Sequence, residues 1–369
     1  MAKFKLSSPR SGADSLMGER VGRKLRLTKF KNLSLDDPFF DSLKEGYAEF
    51  PKWFASKAED DVYVVDDGNE LSGMIYLKME NGPVTDVEPP LPPGDWMKVG
   101  TLKINGKGTK LGERVIKKIF DTALDKHATG IYVTVFEVHK QFIKLFKRYG
   151  FVEHGTKTTD NGVEHVLTRS LTDHAADILA RYPFMDFSGK NRWLLAVYPE
   201  YHTRLLPDSI LNNEPQEIVQ DVSHTNTIHK IYIGKLSLTR MKKGDAVLIY
   251  RTSDKKGPAH YRSVATSVCV VEETHSKKDF ASIDDFLHYC KPHSVFDEAE
   301  LRHMFAAYGR LYTAKMTYNV AFNKRITRGK MIDEVGVPVQ PRWDLKPLTK
   351  EAFDEIVKMG KINESIIIN

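Results

Sequence analysis

Apolar and polar positions follow a helical repeat in some stretches and a two-residue repeat in others, and the mix changes near residue 190. KLRLTKF alternates apolar with basic residues and predicts a strand. DDPFFDSLKEGYAEFPKWFASKA predicts two short helices joined near Pro51, with Phe39, Phe40, Leu43, Tyr47, Trp53 and Phe54 on their apolar faces. DVYVVDD and LSGMIYLKME form a hairpin across DGNE, where Gly68 supplies a positive φ. VEPPLPPGDW holds too many prolines for a strand interior and forms a rigid loop before the strand MKVGTLKI. The spacing then predicts a helix from Gly112 to His127, with Val115, Ile116, Ile119, Phe120, Ala123 and Leu124 on one face. GIYVTVFE is an almost unbroken apolar run, as in a strand buried in mid-sheet. HKQFIKLFKRY is an amphipathic helix stopped by Gly150, and FVEHGTK and EHVLTRSL are closing strands around a DNG turn.

TDHAADILARYPFMDFSGKN leads into a second region. RWLLAVYP, IHKIYIGKLSL, DAVLIYRT and HYRSVATSVCVVEE are strand-like and rich in β-branched residues. SIDDFLHYC and DEAELRHMFAAYG are helical, TAKMTYNVAF resumes as a strand, and TKEAFDEIVKM is a helix. No internal repeat is visible. The expected class is α+β in two domains: a basic, disordered tail over 1–22, a first domain over 23–172, a linker over 173–190 and a second domain over 191–369.

Composition narrows the partners. With 55 Lys and Arg against 49 Asp and Glu, the net charge of +6 fits a phosphate-bearing or nucleic-acid partner. No stretch has the roughly 18 apolar residues that span a bilayer, and the N-terminus lacks a signal-peptide core. The two cysteines, Cys269 and Cys290, offer no disulfide framework, so a reducing cytoplasm is the expected home. HYCKPH brings together His288, Cys290 and His293, but a fourth ligand is missing and no metal is assigned. Cys290 has no acid–base frame around it for nucleophilic work.

The chemistry concentrates between the MKVGTLKI strand and the helix after it. A helix start exposes backbone N–H groups and the positive end of the dipole. Gly106, Gly108 and Gly112 allow close backbone approach, and Lys103, Lys107 and Lys110 add charge. The spacing matches neither G-x-x-x-x-G-K-[ST] nor a strand-following G-x-G-x-x-G. Lys107-Gly108-Thr109-Lys110-Leu111-Gly112 instead resembles the [R/Q]-x-x-G-x-[G/A] signature with which the GNAT acyltransferase superfamily binds the diphosphate of acyl-coenzyme A. GERVIKKIFDTAL resembles the family's following helix, and HKQFIKLFKRYGFVEHG its second signature. The order of elements is similar over residues 23–170.

That resemblance implies a GNAT fold and attack of an amine on an acyl thioester, with acetyl-CoA as donor. Val99, Thr101, Leu102 and Glu113 join Lys107, Gly108, Thr109, Lys110, Leu111 and Gly112 as the implied cofactor contacts, the strand's N–H groups polarising the thioester carbonyl. Lys110 stands where the family carries a glycine. Phe146 stands where many members carry the tyrosine that protonates the departing thiolate, and Tyr149, three residues on, is the nearest hydroxyl. Glu80, Asp95 and Glu137 are candidate bases, with Glu137 ranked first because it ends a buried strand.

Residues 230–273 resemble the core of a PUA-like barrel of the ASCH and EVE group, through the Lys243-Gly244-Asp245 turn and VLIYRT, and WLLAVYP resembles its opening strand. Lys235, Arg240, Lys242, Lys243, Arg251 and Arg262, interleaved with tyrosines, suit phosphates and stacked bases. The combined expectation is a GNAT fold followed by a PUA-like β-barrel: an N-acetyltransferase whose second domain presents an amine on RNA, tRNA or a nucleobase. Two alternatives stay open: an acetyltransferase for protein or small-molecule amines with a structural barrel, and a non-catalytic acyl-CoA sensor that binds nucleic acid.

Overall fold

A computed structural model describes residues 24–66, 70–105, 111–206 and 227–368. The basic tail, Gly68, and the loop residues Gly106, Lys107, Gly108, Thr109 and Lys110 lie outside them. The first region is built from β1 (Lys24–Lys29), α1 (Asp41–Gly46), α2 (Phe50–Ser56), β2 (Asp61–Asp66), β3 (Leu71–Asn81), β4 (Asp95–Ile104), α3 (Leu111–Asp125), β5 (Gly130–Phe136), α4 (Lys140–Arg148), β6 (Val152–Thr159) and β7 (Gly162–Ser170). Its seven strands are ordered β1-β2-β3-β4-β5-β7-β6, and every pair is antiparallel except β4 with β5. The amphipathic faces read from the sequence decide what covers this sheet. Val115, Ile116, Ile119 and Phe120 of α3 and Phe146 of α4 pack on Met97, Val99, Ile131 and Val133. On the opposite face Phe30, Phe40, Phe50 and Phe54 pack on Val62, Val64, Met74 and Tyr76.

The chain continues through α5 (Ile178–Arg181), β8 (Met185–Asp186), β9 (Arg192–Val197), α6 (Pro199–Leu205), β10 (His229–Gly234), β11 (Ala246–Arg251), α7 (Ala259–Arg262), β12 (Val264–Ser276), α8 (Ile283–Cys290), α9 (Glu298–Ala307), β13 (Tyr312–Thr327), α10 (Arg328–Asp333), β14 (Leu345–Leu348), α11 (Lys350–Met359) and β15 (Ile367–Ile368). A six-stranded sheet runs β10-β13-β12-β11-β9-β14, and β8 pairs with β15. This corrects the expectation of a barrel: among the described residues β10 and β14 do not pair, so the sheet stays open. The register between β12 and β13 shifts at three places, which bends both long strands. The helical insertion then occupies β10 itself. The Ile231 N–H donates to the His293 carbonyl at 2.9 Å, and Ile231 and Ile233 pack on Phe286, Leu287 and Leu301.

One continuous core spans both sheets. The segment over 173–190, expected as a linker, contributes Tyr182, Phe184, Met185 and Phe187, all buried. The Tyr182 hydroxyl donates to the Tyr318 carbonyl at 3.1 Å and the Asn319 amide to the Pro183 carbonyl at 3.0 Å, tying this segment to β13. No helix of the described residues is long and apolar enough to cross a membrane.

Candidate functional site

The parallel pair at the centre of the first sheet opens like a wedge. Trp96–Val99 of β4 pair with Gly130–Val133 of β5, and the ladder ends there. β4 runs on to Ile104 beside β3, while β5 runs on to Phe136 beside β7. The point of divergence carries an extra residue: Tyr76 faces Thr101 and Leu77 faces Val99, leaving Gly100 as a bulge. A Cβ on Gly100 would come within 2.8 Å of the Tyr76 ring, so the close strand approach depends on its absence. Beyond Val99, the β4 edge that faced β5 has no ladder partner among the described residues. Among the described residues α3 runs from Leu111, seven residues after the end of β4, and the first N–H groups of any helix have no partner within it.

Val99 and Leu111 are buried, while Thr101 and Leu102 are half-buried along the wedge. Gly112 is explained by packing, because a Cβ there would lie 2.8 Å from Leu145 of α4. Glu113, in the first turn of α3, is buried, with its Oε2 lacking a hydrogen-bond partner and the Arg148 guanidinium 4.0 Å away. Lys103, expected to add charge to the loop, is engaged by the segment that leads into α1. Its ammonium donates to the Phe39 carbonyl and to Ser42 Oγ, and burial holds it below the usual lysine range.

The three carboxylates have separate settings. Asp95 opens β4, at the end remote from the wedge, and accepts from the Asn81 amide. Glu80 sits opposite Trp96 and accepts from the Tyr132 hydroxyl, with Lys78 at 3.1 Å and Lys98 at 3.6 Å. Burial pushes its pKa up, but the Tyr132 hydroxyl and the two ammonium groups outweigh that and hold it below the usual glutamate range. Glu137 is exposed in the turn that follows β5, 2.6 Å from His165 Nε2 and 3.4 Å from Lys140 Nζ. His165 Nδ1 meets Glu153 at 2.8 Å, so one imidazole bridges two carboxylates, and the bonds to Glu153 and Glu137 raise its pKa.

Tyr149 is the C-cap residue of α4 and is completely buried. Its hydroxyl lies 3.3 Å from His229 Nε2 on β10, and burial pushes its pKa far up. Phe146 is likewise enclosed, 4.8 Å from the Phe151 ring.

The basic residues of the second sheet divide into exposed and committed groups. Lys235 stands 3.8 Å above the Tyr308 ring and Arg240 5.0 Å from the Trp193 ring, with both side chains exposed. Lys242 and Lys243 are exposed on one turn. Arg251 is only 4% exposed and offers no outward guanidinium. Arg262 grips Asp254 with Nε and Nη2 and is spent on that pair. The Lys243-Gly244-Asp245 turn has a structural reason: Gly244 takes φ 88°, and Asp245, 1% exposed, accepts from the Asn191 N–H at 3.0 Å, Trp193 Nε1 at 2.9 Å and the Lys242 N–H at 2.9 Å.

Two features escaped the sequence reading. Gly100 carried a faint signal, as a glycine inside a strand pattern. His229 and its partner Glu272 carried none, since each has a charged neighbour, Lys230 or Glu273, that reads like it in the sequence.

No family model matches the chain, and no curated protein is similar to it in sequence. Among solved structures, the ASCH protein of Zymomonas mobilis is similar over 46% of this chain and 94% of its own, at 11% identity and a TM-score of 0.32. An IAA acetyltransferase from Bacillus cereus is similar over 40% of this chain and 99% of its own, at 11% identity and a TM-score of 0.30. The N-acetyltransferase PseH of Campylobacter jejuni covers 40% and 97%, at 16% identity and a TM-score of 0.26. At such scores the function has to be read from the geometry of the site itself.

Proposed function

We propose that this chain is an acyl-CoA-dependent N-acyltransferase, with acetyl-CoA as the donor. The observation that carries the reading is the wedge between β4 and β5, with α3 starting shortly after β4 ends. The free edge of β4 beyond Val99 supplies N–H donors for a thioester carbonyl, and the segment leading into α3 supplies donors for a diphosphate. Val99, Thr101, Leu102, Leu111 and the Lys107–Lys110 loop residues form the donor contacts in this reading. The attacking amine has to be neutral, and Glu137, exposed and directly after β5, accepts its proton through water. Phe146 has no proton to give and Tyr149 keeps its hydroxyl on His229, so water protonates the departing thiolate.

The acceptor we infer is an amine carried by RNA, tRNA or a nucleobase and presented by the second sheet. The exposed cations Lys235, Arg240, Lys242 and Lys243 support that reading. Calorimetry with acetyl-CoA is the first test: absence of heat sinks the donor assignment. Mass spectrometry of total RNA and protein after incubation with labelled acetyl-CoA identifies the acceptor. Label on protein alone supports the rival acceptor, and binding without any transfer supports a sensor. The paired change Lys242→Glu and Lys243→Glu is expected to lower RNA affinity by about tenfold at low salt, and less as salt rises. A binding curve that does not move removes RNA from the proposal.

A further inference from the structure

A chain of polar side chains joins the first turn of α3 to the middle of the second sheet. Glu113 lies 4.0 Å from Arg148 Nη1, and Arg148 Nη2 lies 2.9 Å from His229 Nε2, the nitrogen that Tyr149 also approaches. The other ring nitrogen, Nδ1, meets Glu272 Oε1, and the second oxygen of Glu272 is 3.5 Å from Lys315 Nζ. Thr227 Oγ1 donates to the His229 carbonyl at 2.7 Å, and the His293 ring is centred 5.2 Å away. His229 is fully buried, and the side chains of Glu113 and Glu272 are each 11% exposed.

Donor chemistry sets the state of the imidazole. A guanidinium only donates, so Nε2 accepts; Nδ1 then carries the proton and donates to Glu272. One neutral tautomer satisfies both sides. This ring therefore holds two consecutive residues, Arg148 and Tyr149, where α4 ends. α4 in turn lays Leu145 against Gly112 in the first turn of α3. Both helices cover the β4 and β5 residues around the wedge.

We propose that His229 is a positioning residue for the acyl-transfer site: through Arg148 and Tyr149, the second sheet holds the end of α4 and the first turn of α3 in the arrangement that receives the acyl-CoA diphosphate. The inference rests on the acyl-CoA reading and adds that the site is incomplete without the second sheet. His229 itself touches neither the donor nor the acceptor.

The test compares the full-length chain with His229→Leu, His229→Gln and Arg148→Met, measuring acetyl-CoA affinity by calorimetry and melting temperature on the same samples. His229→Leu and Arg148→Met are expected to weaken binding about five- to tenfold, and His229→Gln, whose amide both accepts and donates, by less than about twofold. Arg148 is 44% exposed, so its replacement keeps the experiment decisive if His229→Leu does not fold. Lower melting temperatures with unchanged affinity would reduce His229 to a structural contact and overturn the proposal. Wild type without heat would overturn the acyl-CoA reading and this inference with it. Heat in wild type that is equal in both disruptive variants sinks the positioning role alone.

Discussion

Each sheet contains a parallel pair of strands, and the two pairs behave differently. β9 and β11 stay in register over six residue pairs, from Arg192 beside Ala246 to Val197 beside Arg251. Trp193, Leu195, Val247 and Ile249 pack into one core, and Leu194, Ala246 and Leu248 into the other, so apolar residues cover both faces. β4 and β5 stay together for four pairs and then part. Both inner strands also shift register against their antiparallel neighbours: β11 against β12, between Ile249 and Tyr250, while it stays paired to β9, and β4 against β3, at Gly100, where its ladder to β5 has just ended. A parallel pair that stays closed is scaffold, whereas one that parts leaves backbone donors and acceptors without a ladder partner, the groups that the proposed acyl-CoA donor would meet.

The comparison is broken most forcefully at the closed pair. Asp245 anchors the start of β11 to Asn191, to Trp193 on β9 and to the Lys242 N–H, and it is almost completely buried. Asp245→Ala should cost roughly 3–5 kcal/mol in urea unfolding, because it strands several buried donors at once. A loss under about 1 kcal/mol would mean the turn is not the anchor described. The open pair is sharpened at its bulge. Gly100→Val should push Tyr76 and disturb the wedge, weakening acetyl-CoA at least about tenfold for a stability loss of about 1–3 kcal/mol. Equal donor affinity in that variant would separate the wedge from cofactor binding. The smallest effect concerns the exposed end of β5. His165 has a raised pKa, so its contribution is complete below its unfolded value of 6.5 and fades as the pH rises through the folded value. Histidine resonances followed by NMR should show His165 titrating above 6.5, and Glu153→Gln should bring it down. A midpoint at or below 6.5 contradicts the bridge.

The elements of the first sheet were legible because each helix carries one apolar stripe and each strand one apolar run. Val115, Ile119 and Phe120 could only face a core, and GIYVTVFE could only be interior. The second sheet was read less completely. LKPL and the short helices α6 and α10 carry too few residues for a period to show. The basic interleaving that drew attention to Arg251 and Arg262 could not separate exposure from internal use. One proved buried, and the other is bound to Asp254, eight residues away in the sequence.

Periodicity and turn chemistry, which act over a few residues, determined the order and type of most elements of this protein. They also marked the glycine-rich approach to α3 and the Lys243-Gly244-Asp245 turn. Only the tertiary structure decided where β4 leaves β5, that the second sheet remains open, and that His229 meets Arg148. Those outcomes depend on contacts between residues far apart in the sequence, Arg148 with His229 and Arg192 with Leu348 among them. Such contacts form by packing and desolvation across the folded chain, and no local repeat in the sequence records them.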